Sequence, residues 1–290
     1  MDLYEHIAGD YDVVTGAAGR RQAAQAMLAE LRQRHPFDSV LDVACGNGMH
    51  AMMLAEMGAA VTAADIAEAM LGQARRRASD AGLAVRWVHA PMQEIAEHVE
   101  GPFDAILCLG NSLPHLLDAH QLTRTLAGFA RLLAPRGVVV LGLLNYARVL
   151  ARQERIVGVT RREKGTGSAA AGSSAAEVPV PAADDYTEYI RFYDFLADVV
   201  RFNVLKLTWS AGGCRHDLAD TLLRPYTRDE IAAACRTAGL DRIDCHAGPD
   251  FDNFDEQTSD TLMVIAQAGA DENRPEVILT ALELTKPWEF

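Results

Sequence analysis

Cysteine is scarce and scattered in these 290 residues: Cys45, Cys108, Cys214, Cys235 and Cys245 each stand alone. Without a Cys-x-x-Cys pair, neither a zinc site nor a disulfide framework is indicated, and no metal is expected. Positive charge is also short, with 27 Lys and Arg against 40 Asp and Glu, a net charge of −13. Nucleic acids and anionic membranes are gripped by clustered cations, so neither is expected as a partner. The dense basic run Arg75-Arg76-Arg77 falls on a predicted helix and reads as a solvated face. No stretch approaches the roughly 18 uninterrupted apolar residues of a membrane span. The first residues, MDLYEHIAGDYD, show no basic stretch leading into an apolar one. A soluble, cytoplasmic protein is expected.

What is present is a regular alternation. Apolar residues at helical spacing (Ala24, Met27, Leu28, Leu31) precede a short apolar run, VLDVA, that ends at glycines. Helix (MHAMMLAEMG), strand (AAVTAAD), helix (AEAMLGQARRRASDAG), strand (AVRWVHA) and strand (FDAILCLG) follow, then helix (QLTRTLAGFARLLAPRG) and strand (VVVLGLL). Strands and helices joined by short connections imply right-handed crossovers and a parallel sheet, so the first half is read as a doubly wound α/β domain. The second half alternates polar and apolar residues in YTEYIRFYDFL, VVRFNVLKLTWS and CRHDLADTLLRPY, an antiparallel meander. Thr227 with Glu230 three positions on predicts a capped helix that stops at Gly239. DRIDCHAG and TLMVIAQA complete the main sheet.

The glycine bend VLDVACGNGMHA admits two ligands. Gly46, Gly48 and Ala51 fit a loose dinucleotide fingerprint, with Asp65 at the distance of a ribose-binding acid. Asp42 argues the other way, since a carboxylate just ahead of the glycines repels a pyrophosphate. A phosphate-free cationic nucleoside is favoured there. No Gly-Lys-Ser/Thr follows, which excludes a P-loop.

VLDVACGNG, the closing Asp65 and FDAILCLGNSLPHL resemble a class I S-adenosylmethionine-dependent methyltransferase, and LGNS-x-x-HL with the later NY is similar to the glycine and glycine/sarcosine N-methyltransferase group. The resemblance implies a Rossmann-like, seven-stranded methyltransferase sheet with the meander inserted, and S-adenosyl-L-methionine as cofactor. It implies a helical lid over residues 1–35, a cofactor-binding core over 36–150 and a flexible loop over 151–185. The meander then covers 186–226, the end of the core sheet 227–268 and a tail 269–290, which with the meander leaves a homo-oligomer open. Carried over residue by residue, it places Ala44, Cys45 and Gly46 against the methionyl group, beside Gly48 and Asp42. Asp65 goes to the ribose, with Ile66, Met70, Pro91 and Met92 around the adenine. Leu109, Gly110, Ser112 and His115 line the methionyl end, Arg20 or Arg21 holds the cofactor carboxylate, and Tyr4 and Tyr11 belong to the lid.

Methyl transfer from a sulfonium needs no acid for the leaving group, so the protein's tasks are to orient the acceptor, exclude water and admit it unprotonated. Asn111 is expected to face the acceptor, and His115 and Tyr146 are the candidate bases, to be required by an oxygen or carbon acceptor. The plainer alternative is that Asn111 and Ser112 cap a helix near Leu113. Arg191 and Arg201 are candidate clamps for an acceptor carboxylate, and Tyr186, Tyr189 and Tyr193 line a pocket or merely pack the sheet. A small-molecule substrate, most readily an amine, is expected; O- or C-methylation, or cofactor binding without turnover, are the other readings.

Overall fold

A computed structural model describes residues 3–163, 170–171 and 185–269. The main sheet has eight strands: β1 (Ser39–Val43), β2 (Ala60–Asp65), β3 (Val85–His89), β4 (Phe103–Cys108), β5 (Leu133–Leu144), β11 (Arg242–Ala247), β12 (Asp252–Asn253) and β13 (Thr261–Gln267). Their order is β12-β11-β13-β5-β4-β1-β2-β3. The first five pair in parallel, and β13 and β11 return antiparallel. One strand more than the expected seven arises because Phe251, at φ 58, turns the chain back so that Asp252–Asn253 pairs with β11.

Helices cover both faces. α3 (Ala17–Arg34), α4 (Met49–Glu56), α5 (Glu68–Asp80), α6 (Ile95–His98), α7 (Ala119–Leu132) and α9 (Arg228–Thr237) alternate with the strands, and α8 (Tyr146–Arg152) follows β5. Strands covered on both sides should read as continuous apolar runs. Val40, Leu41 and Val43 of β1 and Ala105 to Cys108 of β4 do so, each no more than 1% exposed. α3 turns Ala24, Met27, Leu28 and Leu31 into this core. It ends at Arg34 because Pro36 drives His35 out of helical geometry, to φ −132 and ψ 88. The predicted capping box at Thr227 forms, with Glu230 N–H donating to Thr227 Oγ1 and Thr227 N–H to Glu230.

The second sheet is antiparallel, ordered β10-β9-β8-β6-β7 from β6 (Ile156–Glu163), β7 (Ala170–Ala171), β8 (Tyr186–Phe195), β9 (Val200–Ser210) and β10 (Gly213–Leu223). It is wider than the expected meander. Residues 156–163, expected within a flexible loop, form β6 because VGVTR can alternate its side chains against β8. Most of the remaining 165–183 segment and nearly all of the tail lie outside the described residues.

The N-terminal residues form α1 (Leu3–Ile7) and α2 (Tyr11–Thr15), whose Leu3, Ile7 and Val14 bury against Tyr189 and Val204 of the second sheet. Burying each such aliphatic side chain contributes on the order of 1.5–3 kcal/mol. Asp10 adds ion pairs to Lys206 at 2.6 Å and Arg162 at 2.9 Å. The lid is thereby anchored to the antiparallel sheet.

Candidate functional site

The strand order reverses between β1 and β4, and open α/β sheets bind ligands in the crevice beyond such a point. Two segments leave the sheet there. Ala44 (φ 55), Gly46 (φ 57) and Gly48 (φ 80) carry the chain from β1 into α4; Gly110 (φ 74) and Asn111 (φ 67) carry it out of β4. The first bend is held by Cys45 N–H to Ala64 O and Gly48 N–H to Cys45 O, both 3.0 Å.

Its glycines do different work. A Cβ on Gly46 would stand 3.4 Å from Met70 Cε and 4.0 Å from Tyr11 Oη, in the crevice where a ligand approaches. A Cβ on Gly48 would meet Trp87 Cη2 at 2.6 Å and Ala74 Cβ at 2.9 Å, so Gly48 serves packing of α4 on its neighbours. Gly48→Ala adds left-handed strain to this overpacking and is expected to lose about 3 kcal/mol of stability, read from the urea midpoint. A change below about 1 kcal/mol would contradict it.

Asp65 is 8% exposed and accepts from Gly46 N–H at 2.7 Å and from Ala67 N–H at 2.8 Å, on different carboxylate oxygens. Asp42 is 1% exposed, and its Oδ2 has no hydrogen-bond partner. Burial, and then the nearby Asp65, push its carboxyl up to about 8. The Cys45 thiol is pushed up by burial and stays neutral. The Asp65 carboxylate, and beside it a buried carboxyl at Asp42 with an orphaned oxygen that gains a partner by ionising opposite a positive charge, suit a cation better than a phosphate. This donor set fits S-adenosylmethionine.

Ile66 is 55% exposed, with its carbonyl accepting from His89 Nε2 at 2.8 Å; Met70 is buried, and Pro91 and Met92 are half-buried at the end of β3. Nothing is described of the Arg20 side chain. Arg21 pairs with Glu56 at 3.2 Å. Two cavities open at the strand ends. The smaller is lined by Ala44, Cys45, Asn47, Leu109 and Ser112 among others; the larger, of about 400 Å³, by Asn111, Arg148, Arg191 and Tyr193 among others. Tyr11 and Gly110 line both.

Of the three residues expected to be catalytic, only Asn111 lines the larger cavity. Its Nδ2 donates to Tyr146 Oη at 3.0 Å and its Oδ1 accepts from Leu144 N–H at 3.0 Å, so the side chain fixes the exit of β5 and caps no helix. Ser112 is no cap either, since its Oγ donates to Leu109 O at 2.8 Å. Tyr146 is 1% exposed and burial pushes its hydroxyl up, which leaves it neutral and a poor base. His115 lines neither cavity. Tyr4 Oη lies 2.9 Å from its Nε2 and Thr221 Oγ1 3.4 Å from its Nδ1, so the ring latches the lid to β10.

Arg191 and Tyr193 line the larger cavity, whereas Arg201 points to Asp220 on the opposite sheet face at 3.6 Å. Tyr189 is buried under the lid, and Tyr186 stacks on Trp209 at 5.9 Å. On the Arg75-Arg76-Arg77 face, Arg77 pairs with Asp12, while Asn47 Nδ2 also donates to Asp12 at 2.6 Å. Asp12 thus ties the lid to the glycine bend. Sequence reasoning missed it, although the acids of GDYD are the natural complement of that basic run. Among the described residues no His, Cys, Asp and Glu group could hold a metal ion, and no helix is long and apolar enough to cross a membrane.

Residues 40–137 match the model of a methyltransferase domain. A glycine/sarcosine N-methyltransferase of Parasynechococcus marenigrum (strain WH8102) is 35% identical over 150 residues, 52% of this chain and 53% of that protein. A dTDP-3-amino-3,6-dideoxy-alpha-D-glucopyranose N,N-dimethyltransferase of Streptomyces fradiae is 38% identical over 144 residues, 48% and 53% of the two chains. The chain spans about half the length of the curated relatives it matches. A solved S-adenosylmethionine-dependent methyltransferase from Clostridium acetobutylicum ATCC 824 shares the fold with a TM-score of 0.71 at 17% identity, over 92% of this chain and 100% of that one. Glycine bend, carboxylate pair, sheet order and these matches agree: residues 40–137 are similar to a methyltransferase domain, and the chain has the fold of solved S-adenosylmethionine-dependent methyltransferases.

Proposed function

We propose that this chain moves a methyl group from S-adenosylmethionine to the nitrogen of a small amine. The carrying observation is that the cavity at the glycine bend and the larger cavity share Tyr11 and Gly110 as their common wall. Bound at the bend, the cofactor supplies an electrophilic methyl on a sulfonium. Asp42 and Asp65 face its positive and ribose parts, and Tyr11 excludes water from above. Gly110, lacking a side chain, leaves the line between the cavities open.

Neither His115 nor Tyr146 reaches the larger cavity as a base, which favours an acceptor that attacks as a free amine over an alcohol or carbon acid. Arg191 supports an acceptor carrying a carboxylate, as glycine and sarcosine do. A second reading rests on size. About 400 Å³, walled by Val14, Val149, Val157 and Phe202, falls among cavities that enclose ligands much larger than glycine, so an amino sugar or comparable amine is the other substrate class.

Release of S-adenosylhomocysteine with glycine, sarcosine, an amino sugar, aromatic amines and phenols tests this. Turnover of an amine is expected, and turnover of phenols alone would refute the nitrogen acceptor. With a carboxylate-bearing amine, Arg191→Ala is expected to raise KM about tenfold or more and leave kcat within about threefold, the loss of one charge-assisted contact. An unchanged KM would remove Arg191 from the acceptor site.

A further inference from the structure

Among the described strands of the antiparallel sheet, Gly158 of β6 is the one glycine inside a strand, since Gly213 only opens β10. A glycine in that position gives up side-chain packing and marks a bulge or a close approach. Both are present. Ile156 pairs with Phe192 and Gly158 with Arg191, so two steps along β6 answer one along β8, with Val157 the extra residue. A Cβ on Gly158 would overlap Arg191 Nη2 and stand 3.0 Å from its Cζ and 3.2 Å from its Nε. The guanidinium therefore lies across β6, in the room a side chain would fill.

The other neighbours of Arg191 on this face are bulky. Tyr189 and Tyr193, two residues to either side on β8, are 0% and 5% exposed, and Val204, opposite Arg191 on β9, is 2% exposed. Gly158 is the neighbour without a side chain. The bulge also brings Val157 to the wall of the larger cavity beside Arg191, as bulges next to sites re-aim side chains.

We propose that Gly158 is a positioning residue for the acceptor: its missing side chain seats the Arg191 guanidinium in the cavity wall, and with it the grip on an amine that carries a carboxylate. The inference rests on Arg191 as the acceptor clamp, the reading given above. A guanidinium holds a carboxylate best through two parallel N–H bonds, a geometry that a shift of about 1 Å spoils. Any side chain at position 158 forces such a shift, because Nη2 must retreat to an ordinary contact of about 3.5 Å or more. The retreat costs the fold little, since it moves the far end of a flexible side chain, and Gly158 has no left-handed backbone that alanine would strain.

Initial rates with glycine and sarcosine at saturating S-adenosylmethionine, for Gly158→Ala and Arg191→Ala alone and combined, are the test. Gly158→Ala is expected to raise KM for the amine about fivefold or more with kcat within about threefold, S-adenosylmethionine affinity unchanged and the urea midpoint no lower than wild type. The combined variant should match Arg191→Ala within about twofold, because both changes remove one contact. An additive rise overturns the proposal, since Gly158 would then act apart from Arg191. A midpoint clearly below wild type overturns it too, making Gly158 a packing glycine like Gly48. So does an unchanged KM in Gly158→Ala where Arg191→Ala raises it. If Arg191→Ala is silent as well, or neither amine is turned over, the clamp itself fails and the inference falls with it.

Discussion

Asp65→Ala is expected to weaken S-adenosylmethionine binding by ~100-fold or more, the equivalent of about 2.8 kcal/mol. The carboxylate joins the ends of β1 and β2 through Gly46 N–H and Ala67 N–H. Each is a charge-assisted bond worth about 1.5–3 kcal/mol, and both are lost together with the acceptors proposed for the ribose hydroxyls. Asp65→Asn keeps the shape but turns one acceptor into a donor facing a backbone N–H, so an intermediate loss is expected. Calorimetry reads the affinity, and urea unfolding separates it from loss of fold. An affinity within about threefold of wild type for the alanine variant would take Asp65 out of the cofactor site.

The second large effect belongs to Asp42. Its folded pKa, about 8, stands far above the ordinary value of 3.8 because the side chain is wholly buried and Asp65 is close. Between these values the folded ligand-free chain holds a proton that the unfolded chain has released. Stability therefore falls as pH rises from about 4 to about 8 and levels off above, by an amount on the order of a few kcal/mol. Asp10, Asp104 and Glu230 are held below their ordinary values and contribute stability lost as pH drops through the carboxylate range, below most of this window; His35, held below 6.5 by burial, works against the Asp42 trend inside it, with a smaller shift. A bound cation reverses the penalty, since it pairs with the ionised form. Affinity for S-adenosylmethionine should then climb with pH, by up to tenfold per unit, and flatten near pH 8. Asp42→Asn, neutral throughout, should be more stable than wild type near pH 8 without ligand and bind weakly at every pH.

The core sheet was legible because each buried strand is a short apolar run between helices with clear stops, and β1's Asp42 and glycines carry their chemistry in adjacent positions. Gly48 illustrates the limit of such a motif. It fits the fingerprint, yet its missing Cβ makes room for Trp87 and Ala74, residues far away in sequence. β6 was hidden because Ile156–Glu163 is separated from its partner β8 by a long excursion. His115 and Tyr146 were read as bases from residue type and position. Their partners Tyr4, Thr221 and Asn111, which turn them into latches, come from elements 35 to 111 residues away. The ties of Asp10 and Asp12 likewise span 35 to 196 residues, beyond the reach of any local pattern.

The most direct measurement is calorimetric titration of wild type and Asp42→Asn with S-adenosylmethionine and with NAD at pH 6, 7 and 8. Uptake of the sulfonium nucleoside that tightens with pH in wild type, no such trend in the variant, and no heat from NAD is the predicted result. Tight NAD binding, or a variant that takes up S-adenosylmethionine as well as wild type at all three pH values, would contradict the account of a carboxylate site built for a cation.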